Sequence, residues 1–376
     1  MPSRRTSRRD FLGGLGAGAA ALSLPRVFSP ERLFAASAGA PPDEIVRLNY
    51  NENPYGASPR ALKVIRESAE MAYSRYFGDD SYEELSNALA AHHNLKRENI
   101  HVGAGSTEIL KICDDVFLGG KARLVVAEPA YEAVIQYAAN SKAVATKLPL
   151  TPDHRHDLAK MAAATTADTG LVYICNPNNP TGTIVRKDEM QRLMDRIPRS
   201  VTVLVDEAYI DFVDDPQFES AVRYVREGRN VVVARTFSKV HGLAGMRVGY
   251  AIASKDVMAR IKSFTVDYAI TGMAANAALA SLRDAEHVAR VVKLNAAQRQ
   301  LFVDQMTKAG FSCAASQTNF VMVNVKRPVA PIIAEFSKRR ILVGREFKGM
   351  PTFLRVTLGT AAEMQRFYPA FHALLS

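Results

Sequence analysis

Cysteine is scarce: three residues, Cys113, Cys175 and Cys313, in a chain of 376. An odd count at wide spacing is no disulfide framework, and each lies in an apolar context that suits a small buried hydrophobe. Long apolar runs are lacking too. The weakly apolar stretch Gly13 to Leu24 is too short to span a bilayer as a helix. No helix-turn-helix, metal-ligating cluster or internal repeat is evident, so no metal is expected. The formal net charge is +10, but residues 1–38 hold six arginines and two acids, and the remainder carries only +6. No basic run continues into the body, which leaves no nucleic-acid footprint. What is present is ordinary for a soluble globular protein, with 48% hydrophobic and 23% charged residues and a length that allows one large domain or two.

The N-terminus reads as an address. Ser7-Arg8-Arg9-Asp10-Phe11-Leu12 is a twin-arginine motif, followed by the Gly/Ala-rich run, Pro25-Arg26 and a small-residue site at Ala36-Ser37-Ala38. Residues 1–38 are therefore set aside as a signal peptide. The expectation is a periplasmic or secreted protein that uses the twin-arginine export machinery.

The centre of the remaining chain is Thr236-Phe237-Ser238-Lys239-Val240-His241-Gly242-Leu243-Ala244-Gly245-Met246-Arg247-Val248-Gly249. It follows Val231 to Ala234, an apolar run that reads as a buried strand. Ligands bind at strand ends in open α/β sheets, and a lysine near a second cation there can act as an amine nucleophile. Spacing alone does not separate that from a surface lysine. Gly103-Ala104-Gly105-Ser106-Thr107 opens an apolar-periodic helix, whose first N–H groups suit a phosphate or serve as a plain cap. Strands are expected over 124–127, 170–175 and 201–205, each with a polar loop at its end: Glu128-Pro129-Ala130-Tyr131, Asn176-Pro177-Asn178-Asn179-Pro180-Thr181-Gly182 and Asp206-Glu207-Ala208-Tyr209. Asp206 can serve as a functional anion or cap a turn. Helices are expected from Pro59, with Ser58 as cap, and from a cap at Ser81.

The pattern S-K-x-x-G-L-A-G-x-R-x-G, with P-N-N-P-T-G, the arm Asn51-Glu52-Asn53-Pro54-Tyr55-Gly56 and Leu354-Arg355-Val356-Thr357-Leu358-Gly359, resembles the class I/II aminotransferases. These are fold-type-I enzymes of pyridoxal 5′-phosphate (PLP), and the similarity is nearest to histidinol-phosphate aminotransferases. It implies an α/β fold. A large, mostly parallel αβα domain would span 73–268, and a small α+β domain 269–376 would be joined by an N-terminal arm, 39–72. It implies PLP on Lys239 and a phosphate cup of Gly105, Ser106, Thr107, Thr236, Ser238 and Arg247. Tyr131 would stack on the ring, Asn179 and Tyr209 would bond its 3-oxygen, and Asp206 would pair with its nitrogen. Lys239, Asp206 and Tyr209 form the catalytic set. Arg355 would grip an acidic group of the substrate, with Tyr50, Asn51, Tyr55 and Arg345 around it. Tyr76 would reach the phosphate in the partner of a homodimer. Partners would be a small-molecule amino donor and a 2-oxo acid acceptor. A mildly basic cleft suits such an anionic cofactor, and export after folding suits a cofactor made in the cytoplasm.

One position departs from the pattern. The family places an arginine where Gly344 stands, and here Arg345 follows one residue later. One residue in a strand flips the facing side, so either Gly344 forms a bulge that restores Arg345 or the contact is lost. With the expected export, this favours a donor other than histidinol phosphate, such as an aromatic amino acid or a secondary metabolite. A PLP decarboxylase, racemase or oxidase, or an exported non-enzymatic binding protein, remain the alternatives.

Overall fold

The computed structural model describes residues 45–72, 80–119 and 122–375. Tyr76 and the twin-arginine segment lie outside them. The strands in chain order are β1 (Val46–Leu48), β2 (Ile100–Gly103), β3 (Arg123–Glu128), β4 (Val144–Pro149), β5 (Thr169–Cys175), β6 (Thr202–Asp206), β7 (Val231–Thr236), β8 (Gly249–Ala253), β9 (Ser312–Cys313), β10 (Phe320–Asn324), β11 (Ile341–Val343) and β12 (Phe353–Thr357).

Seven of them form one sheet in the order β2-β8-β7-β6-β5-β3-β4. Its pairings are parallel except those of β8 with β2 and β7. β6 and β8 are buried throughout, as a sheet covered on both faces requires. Alternation divides the valine-rich strands between two cores. Val172, Val203 and Val231 face the helices Ser81–His92, Lys187–Arg196 and Gly272–Leu282. Leu171, Leu204 and Val232 face the helices Ser106–Leu118, Ala133–Asn140 and Lys255–Lys262.

The smaller sheet is antiparallel, β12-β10-β9, beside a parallel pair β1-β11. Val46, Leu48, Phe302, Phe336, Phe367 and Phe371 share its core. This is the fold-type-I architecture: a large mixed sheet with a smaller β-sheet domain. The cores divide the chain differently from the expected boundaries. Ile270 and the helix Gly272–Leu282 pack with the large sheet, and the small core starts within the helix Ala285–Lys308. Likewise β1 belongs to the small core, whereas Ala61 of the helix Pro59–Ala72 joins the large one. The apolar faces of these helices decide this, and periodicity alone does not say which sheet a face will meet. Ser58 caps its helix through Oγ at 3.1 Å from the Ala61 N–H. Ser81, however, is the first helical residue, and Asp80 takes the cap position.

Candidate active site

Four loops leave the carboxyl ends of β3, β5, β6 and β7 and meet the β2-to-helix turn around a cavity of about 590 Å³. The Thr236, Ser238, Lys239 and Arg247 segment forms part of its wall, opposite Asn49, Tyr50 and Asn51 of the arm.

One end is built for an anion. Gly105 precedes the helix Ser106–Leu118 at φ 81° and supplies no side-chain cap. A Cβ there would run into the Arg247 guanidinium, so glycine allows Arg247 to lie against the helix N-terminus. Arg247 itself takes the left-handed conformation, φ 56°, and donates to Ser238 Oγ at 3.3 Å. Thr236 Oγ1 donates to Ser238 Oγ at 2.9 Å. Ser106 and Thr107 line the cavity beside them. Uncapped N–H groups, the hydroxyls of Ser106, Thr107, Thr236 and Ser238, and a guanidinium match a phosphate monoester.

The middle suits a flat cationic ring. Asp206 ends β6 fully buried, while its neighbour Glu207 points the other way and pairs with Arg235 at 2.8 Å. Asp206 has no ion-pair partner among the described residues. It accepts hydrogen bonds from the Tyr173 hydroxyl at 3.1 Å and the Ala208 N–H at 3.2 Å. Burial raises its pKa to about 6, against the opposing Tyr173 hydrogen bond. A buried carboxylate without a cation is unfavourable unless a ligand brings one, and a pyridinium nitrogen does so. Tyr131 lines the same region as a stacking surface.

Two donors are set by their neighbours. Thr357 Oγ1 donates to Asn51 Oδ1 at 3.0 Å, which turns Asn51 Nδ2 toward the Tyr209 oxygen, also at 3.0 Å. The Tyr209 proton is thereby left to donate elsewhere. Asn179 Oδ1 accepts from Arg355 Nη1 at 2.6 Å, which leaves the Asn179 amide N–H groups for a ligand oxygen. Lys239 Nζ donates to the Tyr50 and Asn51 carbonyls at 3.3 and 3.2 Å and lies 5.3 Å from the Tyr209 ring centre. Burial and then the Arg355 charge lower its pKa to about 8. The donor set fits PLP at its phosphate, ring nitrogen, ring face and amine-bearing position.

The far wall holds Arg355, Arg345 and Phe347. Arg355 is buried, donates Nη2 to the Asn49 carbonyl at 2.8 Å and leaves Nε without a hydrogen-bond partner among the described residues. Burial lowers its pKa to about 10, and Arg345 adds to the fall. Gly344 resolves the register question. Its N–H bonds the Arg355 carbonyl at 2.8 Å, and a Cβ on it would come within 2.7 Å of that oxygen. β11 ends at Val343, and the close approach at Gly344 brings Arg345 to the cavity wall. Among the described residues, two of those expected are not cavity-lining: Gly105, which precedes the helix Ser106–Leu118, and Tyr55, which packs against the Tyr209, Phe212 and Val240 cluster.

Sequence reading missed Tyr173, Glu132, Phe347 and His156. Tyr173 was within reach, because Cys175 is the register partner of Asp206 and alternation puts Tyr173 on the same face. Glu132 and His156 act through contacts far apart in sequence. His156 Nε2 lies 3.1 Å from Asn178 Oδ1, and Asn178 Nδ2 donates to the Pro129 carbonyl at 3.2 Å and to Thr181 Oγ1 at 2.9 Å. The pair thus ties the Tyr131 loop to the Asn179 loop.

Such a site on such a fold defines a PLP-dependent aminotransferase, which moves an amino group between an amino-acid-like donor and a 2-oxo acid. Comparison makes the membership specific. The family profile "Aminotransferase class I and II" matches residues 43–371, and the chain belongs to that family. It is 35% identical over 335 residues to a histidinol-phosphate aminotransferase of Moorella thermoacetica, covering 89% of this chain and 86% of that one. For the Bacillus subtilis histidinol-phosphate aminotransferase the identity is 34%, with 85% and 88% covered. A crystal structure from Erwinia carotovora atroseptica, provisionally named a histidinol-phosphate aminotransferase, superposes with a TM-score of 0.85 at 32% identity, covering 88% of this chain and 96% of that one. The PLP complex of the Sinorhizobium meliloti histidinol-phosphate aminotransferase has the same fold, with a TM-score of 0.82 at 24% identity and coverage of 94% and 98%.

Proposed function

We propose that the amino donor carries an acidic group at its far end, a phosphate monoester or carboxylate, and that histidinol phosphate, the compound in the relatives' names, is the first candidate. The observation that carries this is the pairing of Arg345 and Arg355 on one wall, their guanidinium carbons 4.4 and 4.9 Å from the Phe347 ring centre. A guanidinium fork matches either oxyanion. The place of Arg345 on the cavity wall supports histidinol phosphate as a candidate.

PLP, when bound, supplies an electron sink for the C–H bond beside the donor's amine. Lys239 would carry the cofactor, and its free Nζ would take up and return the proton at the donor's Cα. An amine with a pKa of about 8 suits both halves of that transfer near neutral pH. Asp206 holds a proton on the ring nitrogen. Tyr209 and Asn179 hold the ring oxygen, and Gly105, Ser106, Thr107, Thr236, Ser238 and Arg247 hold the phosphate. Arg355 and Arg345 orient the far end of the substrate.

A homodimer is part of the same proposal. Phe264, Val266 and Tyr268 are 53%, 70% and 58% exposed within one loop, an apolar set that a second copy would cover. Export by the twin-arginine route to the periplasm or beyond rests on the motif at Arg8-Arg9, and cell fractionation with and without R8K/R9K tests it.

The function is tested by supplying PLP-loaded protein with 2-oxoglutarate and single donors: histidinol phosphate, phenylalanine and ornithine. Preference for histidinol phosphate by ten-fold or more in kcat/KM supports the acidic-end donor. Preference for phenylalanine contradicts it and returns weight to the aromatic amino acids.

A further inference from the structure

Arg345 does not face the cavity alone. Glu132 follows the ring-stacking Tyr131 directly, on the loop after β3, and its Oε2 lies 2.7 Å from Arg345 Nη2. Glu132 also occupies the cap position of the helix Ala133–Asn140, but makes no side-chain cap bond there. Its carboxylate is therefore committed to Arg345, and both side chains line the cavity. The pair is 56% and 36% exposed at the arginine and glutamate. An ion pair that open is weak enough for another carboxylate to exchange into it. Arg355 differs: it is buried and held through neutral oxygens of Asn179 and Asn49.

We propose that Glu132 is a specificity-determining residue, a built-in competitor that occupies Arg345 until an acidic group of the substrate displaces it. This rests on the reading of the far wall given above and deepens it. An aminotransferase accepts two different partners in one cavity. With Glu132 in place, a partner bearing a distal acid takes Arg345, and a partner without one finds that arginine already neutralised. A bare guanidinium would have to be desolvated unpaired by the second kind of partner, which is unfavourable. Glu132 thus weakens partners with a distal acid slightly and spares those without one.

The test uses unreactive acids on the PLP-loaded protein, so that affinity is read apart from turnover. Calorimetric Kd values are compared for glutarate, with two carboxylates, and pentanoate, of equal length with one. E132Q should tighten glutarate by roughly 3- to 5-fold, the worth of a half-exposed ion pair, and leave pentanoate within two-fold. The double variant E132Q/R345Q should lose that gain. KM for 2-oxoglutarate should fall in E132Q by a similar factor. Equal tightening of both acids, unchanged glutarate affinity, or a gain that survives R345Q overturns the role of Glu132. Absence of turnover with every donor strikes the donor assignment instead, and the ratio of the two affinities still decides Glu132.

Discussion

The Tyr173 hydroxyl donates to Asp206 Oδ2 across 3.1 Å, from one buried strand to the next. Both groups are buried, and this bond opposes the rise that burial imposes on Asp206. Its removal should therefore push Asp206 further up. Y173F is expected to shift the acid limb of the kcat/KM profile upward by about one pH unit and to weaken PLP binding several-fold, since a charge-assisted bond contributes about 1.5–3 kcal/mol. An unmoved acid limb would separate that limb from Asp206.

Asp206 should show opposite signs in function and stability. Its folded pKa of about 6 lies above the ordinary 3.8. Below both values the group is protonated in either state and has no effect. As pH rises from about 4 through about 6, the unfolded chain releases the proton first and the folded apoprotein loses stability. D206N removes that loss. The apo variant should be more stable than apo wild type by about 1–3 kcal/mol at pH 8 and equal to it near pH 4. Turnover should fall by roughly 10²–10⁴-fold. Urea unfolding at the two pH values checks the first statement.

Gly344 leaves no room for a methyl group. A Cβ would sit 2.7 Å from the Arg355 carbonyl and 2.9 Å from its Cβ. G344A should cost about 1–3 kcal/mol of stability and raise the donor KM by about ten-fold through displacement of both arginines, with kcat less affected. Equal losses in kcat and KM terms would place the damage nearer Lys239.

His156 is buried, and burial lowers its pKa to about 4, so it is neutral through the working range. Because Asn178 Nδ2 already donates twice, its Oδ1 is the acceptor and His156 Nε2 carries the proton. H156F should weaken PLP binding several-fold and lower stability by about 1–3 kcal/mol, because Asn178 Oδ1 is left unpaired. H156Q, which keeps a donor, should restore most of both. Equal PLP affinity in H156F would make the link between the Tyr131 and Asn179 loops irrelevant to the site.

Much of the site was legible because it is local. Lys239, Asn179 and Ser106 each follow a strand within a few residues, Asp206 is the last residue of one, and apolar runs such as Val231 to Ala234 mark those strands. Tertiary events were harder. The helix Gly272–Leu282 is apolar enough to join either core, and only packing assigns it to the large sheet. Glu132 and Arg345 meet across 213 residues, and nothing near either one signals the other. Arg345 shows the limit of period-two reasoning: the strand ends at Val343, so alternation no longer governs the residue two places on.

The most direct test of the central claim is a half-reaction. PLP-loaded protein receives one equivalent of histidinol phosphate with no acceptor, and the cofactor is then extracted and quantified. Stoichiometric pyridoxamine 5′-phosphate, reconverted to PLP on addition of 2-oxoglutarate and absent in K239A, is the expected result. Unchanged PLP with every donor tried, or conversion at the wild-type rate in K239A, would contradict an aminotransferase centred on Lys239.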